Sequence, residues 1–266
     1  MNKHPSLSFQ LPEAVVVSGA ASGLGNDLCQ LLVANGVATF GVDVADATVE
    51  LSDVQGYRHI RGDVSEEQTW NQVVTTLKQG RYTSYGLVTS AAILEVGTIL
   101  ECNKNDMERT FRINVVGTAL AMKALLPLMI DSGGGPVVAV ASIDASFAEQ
   151  QLAVYASSKG AVKQLARTVA MDHARQGIRV NVLSPGPMMA GLFKRHLASA
   201  ADPERFLSTR SARQPGGRIL EAREVAEAAL FLLSSGSSAI NGADVIADGG
   251  LTTSFDFRTG TEGASV

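Results

Sequence analysis

The 266-residue sequence predicts an α/β fold, a doubly wound parallel sheet forming a single domain. Three observations predict it. Apolar bursts alternate with longer helical patterns from end to end, as strand–helix–strand units do. The bursts are continuous Val/Ala/Ile runs, which suits strands covered on both faces better than a half-exposed sheet. The first burst runs directly into a glycine-rich turn that opens a helix, Ser18-Gly19-Ala20-Ala21-Ser22-Gly23-Leu24-Gly25.

In chain order, a β-branched run at 14–17 precedes a helix at 24–34. A second strand at 37–42 closes on Asp43, and a weaker third spans 57–60. An amphipathic helix at 66–78 leads to a fourth strand at 86–89. The pattern at 106–129 predicts one long helix, stopped by Asp131 and the breaker Gly133-Gly134-Gly135-Pro136. A fully apolar strand at 137–140, a helix at 152–174 and a strand at 179–183 follow. A late helix at 223–233 and a strand at 243–247 complete the pattern, and Asp248-Gly249-Gly250 turns the chain into a polar tail, 251–266. One excursion, 187–218, holds no strand; long excursions in compact domains are commonly lids or substrate loops.

Composition narrows the function. Apolar residues at 45% and charged residues at 18% are ordinary globular values. A balance of 22 basic against 26 acidic residues, net −4, offers no electrostatic footprint for nucleic acid or anionic lipid. The two cysteines, Cys29 and Cys102, build no disulfide framework, and the four scattered histidines predict no metal site. No stretch near the start resembles a signal peptide, and no run reaches the roughly 18 apolar residues of a membrane span. A cytoplasmic, non-membrane protein is therefore expected.

The chemistry-bearing motifs are individually weak. Glycines in a strand-to-helix turn let backbone approach a diphosphate, and the helix start offers unpaired N–H donors. An ordinary turn explains them equally well. Asp43, at the end of the second strand about 20 residues further on, is placed as the acid that binds an adenosine ribose 2′-hydroxyl. Tyr155 and Lys159 lie four apart on one helical face. A phenol of pKa about 10 beside an ammonium is expected to titrate lower, and so to serve as acid and base near neutrality. Ser142 ends the fifth strand, and Asn114 sits in a helix interior, where asparagine is mildly unfavourable.

Taken in order along one α/β chain, the glycine loop, Asp43, Asn114, Ser142, Tyr155, Lys159 and Pro185-Gly186 make the sequence resemble the short-chain dehydrogenase/reductase family over residues 13–250. The resemblance implies a Rossmann-like fold and hydride transfer between a nicotinamide cofactor and a secondary alcohol or ketone. It implies Tyr155 as acid/base, with Lys159 lowering its pKa and holding the nicotinamide ribose. Ser142 would orient the substrate oxygen, and Asn114 would hold a water in a relay to the lysine. Against the cofactor it places Gly19, Ser22, Gly23, Leu24, Gly25, Asp43, Asp63, Val64, Ala91, Tyr155, Lys159, Pro185, Gly186 and Met188. Against the substrate it places Ser142, Asp144, Leu152, Met189 and Phe193. Asp43 without a basic neighbour in the loop or in Val44-Ala45-Asp46 points to NAD in preference to NADP.

Three positions depart from the family pattern. Its Asn-Asn-Ala-Gly is here Thr89-Ser90-Ala91-Ala92, which replaces an amide by a hydroxyl and adds a methyl, and its threonine after Pro-Gly is here Ala190. The excursion carries Lys194, Arg195, Arg205, Arg210, Arg213 and Arg218 against Asp202 and Glu204, either an anion-recognising surface or a solvated helix face. A homotetramer is implied, sharing its long helices through Ala156, Ser157, Ser158 and Gly160. Two other uses of the fold stay open: a non-catalytic NAD sensor or scaffold, and an epimerase or dehydratase that uses NAD transiently.

Overall fold

The computed structural model describes residues 9–253, so the tail expected at 251–266 lies outside the described residues beyond Thr253. Seven parallel strands form one sheet: β1 (Ala14–Ser18), β2 (Ala38–Asp43), β3 (Tyr57–Arg61), β4 (Tyr85–Thr89), β5 (Gly135–Val140), β6 (Ile178–Pro185) and β7 (Asp244–Ala247). Their order is β3-β2-β1-β4-β5-β6-β7, so the winding reverses between β1 and β4. Helices follow β1, β3, β4, β5 and β6, while β2 reaches β3 through turns alone: α1 (Gly23–Ala34), α2 (Glu67–Gly80), α3 (Lys104–Phe111), α4 (Gly117–Asp131), α5 (Ala153–His173), α6 (Gly191–Ser199), α7 (Pro203–Ala212) and α8 (Ala222–Leu233).

The strands are apolar throughout because both faces are covered. On β1, Ala14 and Val16 face a core with Trp70, Val73 and Leu77 of α2, Met122, Leu125 and Met129 of α4, and Val162, Ala166 and Ala170 of α5. Val15 and Val17 point the other way, into a second core with Leu24, Leu28 and Leu32 of α1 and Val225, Ala229 and Leu233 of α8. This alternation is the period-2 geometry of a strand. The stretch Lys104–Asp131 is long and apolar enough in composition to cross a membrane, contrary to the reading of apolar runs. Its α4 part instead supplies the first of these cores.

One element differs from the sequence expectation. The long helix of residues 106–129 is broken into α3 and α4 by a π-turn over Arg112–Val116, in which the Gly117 N–H donates to the Arg112 carbonyl. The excursion 187–218 holds no strand among its named elements, as expected. It folds into α6 and α7, with Asp202 capping α7 through the Arg205 N–H and Pro203 in its first turn.

Candidate active site

A cavity of about 640 Å³ opens beyond the carboxyl ends of β1 and β4, where open α/β sheets bind ligands. The first strand turns sharply there. Gly19 has φ +72°, its N–H donates to the Val42 carbonyl (2.8 Å), and a Cβ on it would stand 2.8 Å from the Ala91 backbone. A Cβ on Gly25 would lie 2.2 Å from the Gly19 carbonyl, so α1 can start this close to the turn only with glycine there. Ser18, which sequence reasoning did not single out, accepts from the Ser90 and Ala91 N–H groups (3.1 and 3.2 Å) and ties β1 to the end of β4. Its only signal was a hydroxyl closing an apolar strand.

The donor set at this end suits an anionic dinucleotide. Ser22, the N-cap of α1, makes no side-chain capping bond, and the first turn holds no acidic residue. With Gly23 and Leu24 it lines the cavity. The helix start therefore presents its N–H donors without a side-chain anion in front of them. Asp43 lines the same cavity; its oxygens accept from the Ala21 and Ala45 N–H groups, each at 3.0 Å. A carboxylate oxygen accepts more than one bond, so both retain capacity for ribose hydroxyls. Asp63, Val64 and Ala91 line the cavity as well. Arg61 is a basic residue near this end that the neighbouring sequence did not reveal. It is held on the Val44 carbonyl (3.0 Å) and Asp46 (3.1 Å) and is not among the lining residues.

On the opposite wall, α5 carries Tyr155 and Lys159, both buried, and Ser142 stands at the end of β5. Lys159 Nζ donates to the Val140 carbonyl (2.9 Å) and lies 5.8 Å from the Tyr155 ring centroid. Burial lowers its pKa to about 8. The expected lowering of the tyrosine pKa is not what its surroundings in the protein favour. Burial first, then the charges of Asp144 and Glu149, hold the Tyr155 phenol well above its ordinary value, against a Ser142 hydrogen bond that favours ionisation. The ammonium's grip on Val140 leaves burial the larger influence.

Asn114 sits on the π-turn, behind the cavity. Its Oδ1 accepts from the Ile93 N–H (2.9 Å), and its amide donates to the Ile93 carbonyl and Ser158 Oγ (3.0 Å each). Thr118 Oγ1 donates to the Asn114 carbonyl at 2.8 Å. The asparagine thus fastens the segment after β4 to α5. Ser158 also donates to the Tyr155 carbonyl (2.7 Å) and is fully buried, so it packs behind the cavity wall and offers no surface to a subunit interface.

The rim is built by the segment after Ser142 and by α6 and α7. Asp144, Leu152, Pro185, Gly186, Met188 and Phe193 line the cavity, and Ala92 and Ala190 fill the departing family positions. Met189, expected there, is not among the lining residues; its N–H is pinned to the Leu220 carbonyl (2.7 Å) while Met188 faces the cavity. Arg210 pairs with Glu149 at 2.5 Å and stacks over Phe206, tying α7 to the loop after Ser142. Arg218 instead pairs with Glu224. Arg109, Arg112 and Ile113 also reach the cavity, unforeseen; their spacing puts them on one helical face just before Asn114.

The chain is similar to known proteins over nearly its whole length. A family model described as Enoyl-(Acyl carrier protein) reductase matches residues 19–252. The cis-4-hydroxycyclohexanecarboxylate dehydrogenase of Sinomonas cyclohexanicum is 34% identical, over 89% of this chain and 95% of its own. The 2,5-dichloro-2,5-cyclohexadiene-1,4-diol dehydrogenase of Sphingobium indicum is 32% identical, over 90% and 97%. The ligand-free aldohexose dehydrogenase of Thermoplasma acidophilum superposes with a TM-score of 0.86 at 27% identity, covering 94% and 98%. The chain belongs to the short-chain dehydrogenase/reductase family, oxidoreductases that work with a nicotinamide cofactor.

Proposed function

We propose that the chain is an NAD(H)-dependent dehydrogenase/ketoreductase acting on a secondary alcohol or ketone with a largely apolar body. One observation carries this reading: Ser142, Tyr155 and Lys159 meet on one wall of the cavity whose far end holds Asp43 and the start of α1. When bound, the cofactor supplies the hydride acceptor or donor. Tyr155 gives a proton to the carbonyl oxygen or takes it from the alcohol, and Ser142 orients that oxygen. Lys159 would hold the nicotinamide ribose, and Asn114, which keeps α5 and the segment after β4 in register, would serve a water relay to the lysine. Leu152, Met188, Leu192, Phe193 and Phe206 make the walls apolar. The two curated relatives are named for hydroxylated six-carbon rings, which supports a ring alcohol or ketone here.

The test follows nicotinamide absorbance with cyclic secondary alcohols and ketones. Absorbance change in step with product is expected. Product without net change would shift the assignment to an epimerase or dehydratase, and binding without turnover would make the chain a sensor. NAD is the expected cofactor, because a 2′-phosphate would meet the Asp43 carboxylate with Arg61 already held elsewhere. Asp43→Ala should lower the NAD-to-NADP ratio of kcat/KM by about tenfold or more, a difference of about 1.4 kcal/mol. An unchanged ratio removes Asp43 from the nucleotide site. We also propose a homotetramer that uses the outer faces of α4 and α5, where Ala156, Ser157 and Gly160 remain accessible. Light scattering of the eluting species checks this, and a monomer at micromolar concentration would refute it.

A further inference from the structure

Ser142 has one hydroxyl proton, and while the Tyr155 phenol keeps its own, the acceptor that faces that proton is Asp144. Ser142 Oγ accepts from the Asp144 N–H at 3.1 Å and stands 3.0 Å from Asp144 Oδ2. An ionised carboxylate only accepts, so while Asp144 is charged the proton on this bond is that of the serine. A serine that donates to Asp144 has no proton left for a carbonyl oxygen. A protonated Asp144 reverses the bond: the acid donates to Ser142 Oγ, and the serine proton is free to turn to the substrate.

Resting on the oxidoreductase reading above, we propose that Asp144 is a positioning residue that competes with the substrate oxygen for the single proton of Ser142, so that its ionisation restrains ketone reduction. Its surroundings allow this to operate near neutrality. Burial, helped by the charge of Glu149 on the same loop, raises the Asp144 carboxyl to about 6, against the Ser142 bond and the Arg210 charge. From α5, Tyr155 adjoins it, Lys159 is held by the Val140 carbonyl with a pKa of about 8, above the window used below, and Lys163 is engaged by Ser146 and Asp244. From β6 the one charged residue, Arg179, is held by Ser234, Ser237 and Ile240. From α7 comes Arg210, itself paired with Glu149. His196 of α6 lines the same cavity.

The experiment measures kcat/KM for reduction of cyclohexanone with NADH. Tyr155 stays protonated throughout the window used, so it adds no limb of its own. Wild type should fall as pH rises from about 5 to about 7.5, as Asp144 gives up its proton. Asp144→Asn should stay flat there and exceed wild type about fivefold at about pH 7.5. His196→Gln should keep the limb, separating Asp144 from the histidine that lines the same cavity. A flat wild-type profile, a limb that survives Asp144→Asn, a limb lost in His196→Gln, or an Asp144→Asn variant inactive at every pH would each overturn the proposal.

A second readout needs no turnover. Carboxyl-carbon NMR of Asp144 in the full chain should give a midpoint near 6 in wild type, and a higher one in Ser142→Ala, where the carboxylate loses its donor. An unchanged or lower midpoint would overturn the shared proton. A chain that reduces no ketone would refute the proposed function, while this titration would still decide where the proton lies.

Discussion

Tyr155→Phe should keep its fold and lose about 10²-fold or more in turnover. The substitution removes one oxygen from a buried ring on α5 and leaves the ring's packing in place. The phenol is the group on this wall that both holds a proton near neutrality and can release it, since Ser142 is committed to Asp144 and Lys159 to Val140. Because burial holds the phenol protonated, alcohol oxidation should gain with pH while ketone reduction needs no help from alkali. Steady-state kinetics in both directions, with circular dichroism as the folding control, check the assignment. Near-normal kcat in the variant would remove Tyr155 from proton transfer.

Lys159→Met should have a comparably large effect on turnover, about 10²-fold or more, with weakened cofactor binding. It should also be more stable than wild type at neutral pH. The lysine is almost fully buried, and burial lowers its pKa to about 8 from about 10.5 in the unfolded chain. Between those values the unfolded state binds more protons, so wild-type stability rises with pH through that window. Below it the buried ammonium carries its whole penalty, on the order of 3 kcal/mol, which methionine would relieve apart from about 1 kcal/mol for the lost Val140 bond. Urea unfolding at about pH 7 and about pH 10 should show the variant's advantage shrinking with pH. An advantage that grows with pH would refute the burial account.

Most of the fold was legible because a parallel sheet covered on both faces writes itself as uninterrupted apolar strands, and β1, β4 and β5 read that way. The Tyr155–Lys159 spacing and the glycine turn were legible because helical periodicity and strand ends are local. What was not legible depends on who meets whom. Ser158 looks like a small surface residue until Asn114, 44 positions away, claims it. The tyrosine's protonation follows from burial that no local pattern encodes. Arg210 reads as part of a basic surface until it meets Glu149 from another segment. The start of α7 is local as well: Asp202-Pro203 is a recognisable helix opening inside the excursion.

The π-turn at Arg112–Val116 bears on how this chain can change over evolutionary time. A π-turn takes one residue more into a turn than an α-helix does, and absorbs it without rotating the flanking turns against each other. Upstream of it Arg109 faces the cavity, and downstream Met122, Leu125 and Met129 face the sheet. A single deletion in the turn would therefore rewind it to α-helix and leave both faces where they are, while taking Asn114 off Ile93 and Ser158. The extra residue is kept by what Asn114 fastens, not by the spacing between cavity and core. A lineage that no longer needed that fastening could lose the residue without repacking α4.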